Sequence, residues 1–171
     1  MNIINKTSIS EFEKSIVTTH AQTLSVLHAC TEEQFLHTGT ASSIGAHMRH
    51  IIECIKMLND GQNHINYDAR ARNHKIETNQ HFAIAQLDME TEKLLEKVAQ
   101  TDLIESVMVT MDGCSTHSTF GRELLATLSH TVHHLAFIKL LAEQQNIEIG
   151  KNIGIAPATL AFQQNEQKKF G

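Results

Sequence analysis

The chain has only three cysteines in 171 residues, Cys30, Cys54 and Cys114, and no C-x-x-C pair among them. An odd number without that spacing excludes a disulfide framework and a cysteine-rich zinc site, so free thiols are expected. There is no dense Lys/Arg run, the formal net charge is −5 and the pI is near 6.2, which leaves no electrostatic footprint for nucleic acid or an anionic lipid surface. No uninterrupted apolar stretch approaches the roughly 18 residues of a membrane span, and the N-terminus lacks a basic region followed by an apolar run. A cytoplasmic protein without nucleic-acid or membrane partners is expected. Internal repeats, low-complexity tracts and linkers are absent as well. With 41% hydrophobic residues, enough to bury a sizeable core, residues 1–171 read as one domain. Its core is expected over about residues 8–162, followed by a polar, frayed tail at 163–171.

Histidine, by contrast, is abundant: 12 residues, with neither a polyhistidine run nor a tag to explain them. Two clusters stand out, His47/His50 and His130/His133/His134.

The local signals are helical. Ser10-Glu11-Phe12-Glu13 reads as a capping box opening a first long helix to Ala29, and Thr31-Glu32-Glu33-Gln34 repeats the box for a short turn. Gly39-Thr40-Ala41-Ser42-Ser43 offers cap residues for a second long helix, from about Ser43 to Asn59, which Asp60-Gly61 ends. A long polar connection containing Tyr67-Asp68-Ala69-Arg70-Ala71-Arg72 leads to a third, about Glu77 to Gln100. Ile104 to Met111 is rich in β-branched residues and precedes the tight-turn pair Asp112-Gly113, so a small β-hairpin is expected before the last long helix. That helix, capped by Ser118 or Thr119, runs from about Gly121 to Gln145, and Gly150, Gly154 and Pro157 mark an irregular tail. The expected fold class is all-α, a four-helix bundle with a long connection.

On an α-helix, residues four apart lie about 40° from each other and about 6 Å along the axis, so His130 and His134 project side by side. Phe137 and Leu141 continue their stripe, which therefore reads as a core-facing seam. His133 points about 80° away and is a poorer ligand, with a role beside the site or on the surface. On the second long helix the apolar direction is set by Ile44, Ile51, Ile55 and Leu58, with Arg49, Glu53 and Lys56 opposite. His47 lies within the apolar sector and His50 at its edge, beside Cys54 and Met57, and geometry alone does not choose between them. Lone buried imidazoles are usually held by a carbonyl or carboxylate. Three neighbouring ones are better satisfied by a shared cation, so a metal site is expected. A carboxylate-bridged di-iron centre would need Glu-x-x-His on two helices, and no glutamate here has histidine at the third following position. Three neutral nitrogen ligands leave a coordination position open, as in catalytic sites.

Ser43-Ile44-Gly45-Ala46-His47-Met48-Arg49-His50 and Ser129-His130-Thr131-Val132-His133-His134 resemble the metal-ligand motifs of the DinB-like superfamily of bacterial four-helix bundles. That superfamily is related to bacillithiol transferases and mycothiol-dependent maleylpyruvate isomerase. The resemblance spans about Ser8 to Phe162. Within it, Tyr67 to Arg72, Ile76-Glu77-Thr78, Gly121-Arg122-Glu123-Leu124 and Gly154 to Thr159 are similar to one subgroup. It implies a bundle with a long crossover, often a homodimer, and one zinc, nickel or iron ion on His50, His130 and His134. It thereby favours His50 over His47. The relatives that oxidise sulfur need a separate catalytic domain, so that activity is not implied.

Two functions follow as expectations. One is a metal-dependent enzyme, a transferase using a low-molecular-weight thiol or a hydrolase, acting on a small-molecule substrate. The other is a non-catalytic metal-binding or stress-response accessory protein, since no general base stands out beside the ligands. Cys54, one turn from His50, reads as core, and His117 as surface. Arg70 and Arg72, two apart in an extended segment, can clamp a carboxylate. The preferred reading is that they pin the loop through ion pairs with Asp68 and Glu77.

Overall fold

The structure, a computed structural model, describes residues 3–38 and 42–169. Residues 39–41 of the expected cap run lie outside them. The described chain is mostly helical, with a small three-stranded sheet whose first strand precedes the third long helix and whose other two follow it. In order it runs α1 (Ile3–Ala29), α2 (Glu32–Leu36), α3 (Ile44–Asp60), β1 (His64–Asn66), a 3-10 turn (Tyr67–Ala69), α4 (His74–Thr78), α5 (Gln80–Gln100), β2 (Ser106–Met111), β3 (Cys114–Thr119), α6 (Phe120–Gln144) and α7 (Pro157–Lys169).

Several boundaries follow from caps. Ser43 Oγ accepts the Ala46 amide at 3.0 Å to start α3, and Gly61 closes it. Thr31 and Gln34 form a reciprocal capping box on α2, while Asn79 and Thr119 cap α5 and α6. Ser10 caps nothing, because α1 already begins at Ile3; no glycine or proline interrupts the sequence before Ser10, so the helix runs through it. The third helix starts later than Glu77 because Asn79 breaks the run and leaves α4 as a separate turn. The irregular tail expected after Gly150 contains α7, which opens with Pro157 in the first-turn position that proline favours.

The expected hairpin is β2–β3, turning on Asp112 and Gly113, both at positive φ (52° and 73°). Beyond it, β1 adds in parallel to β2, with Ile65 opposite Val109, so the sheet order is β1-β2-β3, a small addition to a mostly helical chain that is compatible with the expected all-α class. A three-residue strand carries too short a pattern to be read from sequence.

Each of the four long helices packs against two others: α3 against α5 and α6, and α1 against α5 and α6. Ile44, Met48, Ile51, Leu58, Leu87, Leu94, Leu124, Leu135 and Ile138 are buried between them. Glu53 is a departure: expected on the polar face, it is 3% exposed. The segment leading into α4 covers that face of α3, and Glu53 accepts the Asn73 amide at 2.5 Å. Arg49 pairs with Glu77 across the same contact, and a Cβ on Gly45 would run into the Glu77 carbonyl, so α4 sits close against α3. Among the described residues α6 alone is long and apolar enough to span a bilayer by length and composition. One stripe of it is core, and imidazoles interrupt its middle.

Candidate metal centre

The pairing of α3 with α6 decides which histidines meet. His50 and Cys54 are one turn apart on α3, as His130 and His134 are on α6, so each helix offers two side chains in one direction. His50 Nε2 lies 2.7 Å from His130 Nε2, and His134 Nε2 lies 3.1 Å from His130 Nε2. Cys54 Sγ is 3.7 Å from His50 Nε2. His50, Cys54 and His130 bring their ligand atoms within 4.8 Å of one another, and this group can hold a metal ion. Nitrogens held at about 2.0–2.1 Å by a tetrahedral ion stand about 3.4 Å apart. The observed spacings are slightly tighter, so the residues fit an ion after a small opening of the rings.

His47 belongs to the same constellation. Its Nδ1 lies 2.8 Å from His134 Nδ1, and its ring stacks with Phe137 at 6.0 Å. The two histidines of α3 therefore do different things, one beside His130 and the other behind His134. His133 is exposed and packs edge-on against Phe137 at 4.9 Å, away from the converging nitrogens. His117 lies exposed on β3.

The stripe carrying His130 and His134 is not the core seam the spacing predicts, since Phe137 is 46% exposed. The buried stripe of α6 is Leu124, Thr127, Thr131, Leu135, Ile138 and Ala142, one residue around the helix. The imidazoles thus flank the core, where an ion and a ligand can both reach them.

Burial favours the neutral form of His47, His50, His130 and His134. His50 is pushed down to about 4 by burial, with help from Arg70, and His134 to about 3 by burial and its neighbouring histidines. Burial lowers His47 and His130 too. Neutral rings keep the lone pairs that a cation needs. The Cys54 thiol is pushed up by burial, and Arg70 partly offsets this.

Cys54 is the ligand candidate missed from sequence. It is 6% exposed, so the core reading was correct for its burial, but its sulfur faces His50. The signal was there, because His50-x-x-x-Cys54 has the same spacing as His130-x-x-x-His134. The expected loop pinning by Arg70 and Arg72 is overturned. Asp68 accepts the amides of Asp112 and Gly113 at 2.9 Å each, Glu77 pairs with Arg49, and neither Arg70 nor Arg72 has a carboxylate within 4.0 Å among the described residues. Short-range fixation of the loop comes from the hairpin turn and from Glu53 instead. Arg70 Nη1 lies 2.8 Å from His50 Nδ1 and donates to Cys54 Sγ at 3.5 Å. Donation to Nδ1 puts the His50 proton on Nε2, so Arg70 has to leave Nδ1 when Nε2 takes an ion.

A cavity of about 460 Å³ opens beside His50, Cys54 and His130. Tyr67, Arg70, Glu123 and Thr127 also line it. The Glu123 carboxylate accepts hydrogen bonds from Ser118 Oγ at 2.6 Å and Tyr67 OH at 3.2 Å, so it is occupied. Burial, together with the Glu123 charge, raises the Tyr67 phenol well above its ordinary range and keeps it protonated as a donor.

No family model matches the chain. A stretch of 103 residues is 31% identical to FK506-binding protein 5 of Rhizopus delemar, covering 56% of this chain and 26% of that protein. The chain therefore spans about a quarter of that relative's length, an overlap that assigns no family.

Proposed function

We propose that this chain is a DinB-like, divalent-metal-binding protein whose ion sits on His50, Cys54 and His130 with His134 completing the set, and that it is a metal-dependent transferase or hydrolase. The observation that carries the reading is the convergence of the Nε2 atoms of His50, His130 and His134 from two helices, with Cys54 alongside. The mutual packing of α1, α3, α5 and α6 supports a four-helix bundle, with the segment from β1 to α4 as its long crossover. Zinc, nickel or iron suits neutral imidazoles with one sulfur. Such an ion supplies Lewis acidity and lowers the pKa of a water or thiol towards neutrality. The cavity admits a small molecule, a low-molecular-weight thiol among the candidates, and its volume lies in the usual range of about 300–1,000 Å³ for small-molecule sites. A cytoplasmic homodimer belongs to the same reading; Leu125 and Leu140 are exposed apolar side chains on α6 that a second copy can cover.

One observation favours a non-catalytic accessory protein instead. Glu53 is turned to the Asn73 amide and Glu123 to Ser118 and Tyr67, so neither nearby carboxylate is free to act as a base. Elemental analysis of the purified protein tests the metal, with about one ion per chain expected. Protein that stays metal-free after dialysis against zinc or nickel overturns the reading. Screening the loaded protein against thiol adducts, esters and amides separates enzyme from accessory protein.

A further inference from the structure

The arginines of this chain differ in what neutralises them. Arg49 has Glu77 and Arg122 has Glu123, at 3.5 Å. Arg70 is partly buried at the wall of the cavity and has no carboxylate partner among the described residues. Its Nη1 meets only an imidazole nitrogen and a thiol, and its Nε–H is buried without an acceptor. A guanidinium carries five donors in a planar fork suited to a carboxylate, and leaving such donors unused in a half-buried place is costly.

We propose that Arg70 anchors the carboxylate of a small ligand in the cavity beside the donor group, making it a specificity-determining residue. The proposal builds on the metal-site reading above, which gives the ligand's other end its place near His50 and His130. The cavity wall carries Asp68, Asp112 and Glu123 against Arg70 and Arg122. That balance favours a single negative charge at Arg70 over a phosphate dianion. Asp68 and Glu123 are spoken for by the hairpin amides and by Ser118 and Tyr67, so neither moves readily to take the ligand's place. Met111 and Ala126 add apolar wall, which suits a short hydrocarbon body. The ligand class is a small monocarboxylate.

Calorimetric titration with butyrate, hexanoate and benzoate, each beside its primary amide, tests this on the purified protein with and without added zinc. Saturable binding of carboxylates over their amides is expected, with the preference reduced about tenfold or more in Arg70→Gln and partly kept in Arg70→Lys. Helical circular dichroism of each variant is recorded alongside. Equal binding of acid and amide, absence of binding by all six probes, or an unchanged preference in Arg70→Gln overturns the proposal. Inorganic phosphate competing as well as butyrate overturns the carboxylate assignment. Metal content is measured on the same samples, so a protein that prefers carboxylates without holding zinc refutes the metal reading alone. One that holds zinc without the preference refutes the anchor alone.

Discussion

His47 and His134 meet Nδ1 to Nδ1 at 2.8 Å across 87 positions of sequence. The contact couples the two tautomers: with His134 Nδ1 donating and His47 Nδ1 accepting, His134 Nε2 keeps the lone pair that a cation needs. With its Nδ1 engaged, His134 turns its Nε2 towards His130. The imidazole that competes with His50 on helical geometry is thereby assigned other work, holding a proposed ligand in place.

The single-alanine series follows from this arrangement. His50→Ala and His130→Ala should lose most metal affinity, since each removes a nitrogen at the centre of the group, and His134→Ala should follow them. His47→Ala should cost about 10–100-fold, the usual loss when a hydrogen-bond partner of a ligand is removed. His133→Ala should change little. Zinc titrations of the five variants check this, and binding lost in His47→Ala but unchanged in His50→Ala would refute the assignment.

Cys54→Ser should retain the fold, because the change is small, and should weaken binding of thiophilic ions more than of magnesium-like hard ones. Cobalt-loaded wild type should show a sulfur-to-cobalt charge-transfer band in the near ultraviolet that the serine variant lacks. A band absent from both proteins would return Cys54 to a packing role.

Acid should weaken the metal-free protein. The depressed histidines bind fewer protons folded than unfolded, so their contribution is complete above the unfolded value near 6.5 and is lost as pH falls through about 4 for His50 and about 3 for His134. Melting temperatures of chelator-treated protein should therefore fall from about pH 6.5 downward, and the slope should flatten in His134→Ala. Bound metal should be released over the same range, because protons compete for the same lone pairs. A melting temperature that rises on acidification across this range would contradict the argument.

Chelation at neutral pH should lower the melting temperature and leave the helices. The core of Ile44, Ile51, Leu58, Leu87, Leu94 and Leu135 is fully or almost fully buried without any of the donors, and each such side chain contributes about 1.5–3 kcal/mol of transfer free energy. Far-ultraviolet circular dichroism before and after chelation measures this. Loss of the helical signal would move the site into the structural class.

What the sequence made legible was local. Ser43, Thr31 and Thr119 announce their helices because a cap is a contact within three residues, and Asp112-Gly113 announces its hairpin for the same reason. The pairing of His130 with His134 is legible from helical spacing. The parallel partnership of β1 with β2, the burial of Glu53 beneath the segment before α4 and the contact of Arg70 with His50 are not, because each joins residues at least 20 positions apart. The seam error on α6 has another origin. A stripe displaced by one residue satisfies nearly the same apolar periodicity, and only packing against α1 and α3 tells which stripe is inside.

The separation between donors also has a kinetic meaning. His50 and His130 are 80 positions apart, and no fragment containing only α3 or only α6 includes both. Bringing them together closes a loop that encloses α5 and the whole sheet, so the entropic cost of closure falls on the chain before any ion can repay it. Ion capture should therefore coincide with the last docking of α6 on α3 during refolding, and the rate of metal uptake by refolding chains would report that docking step directly.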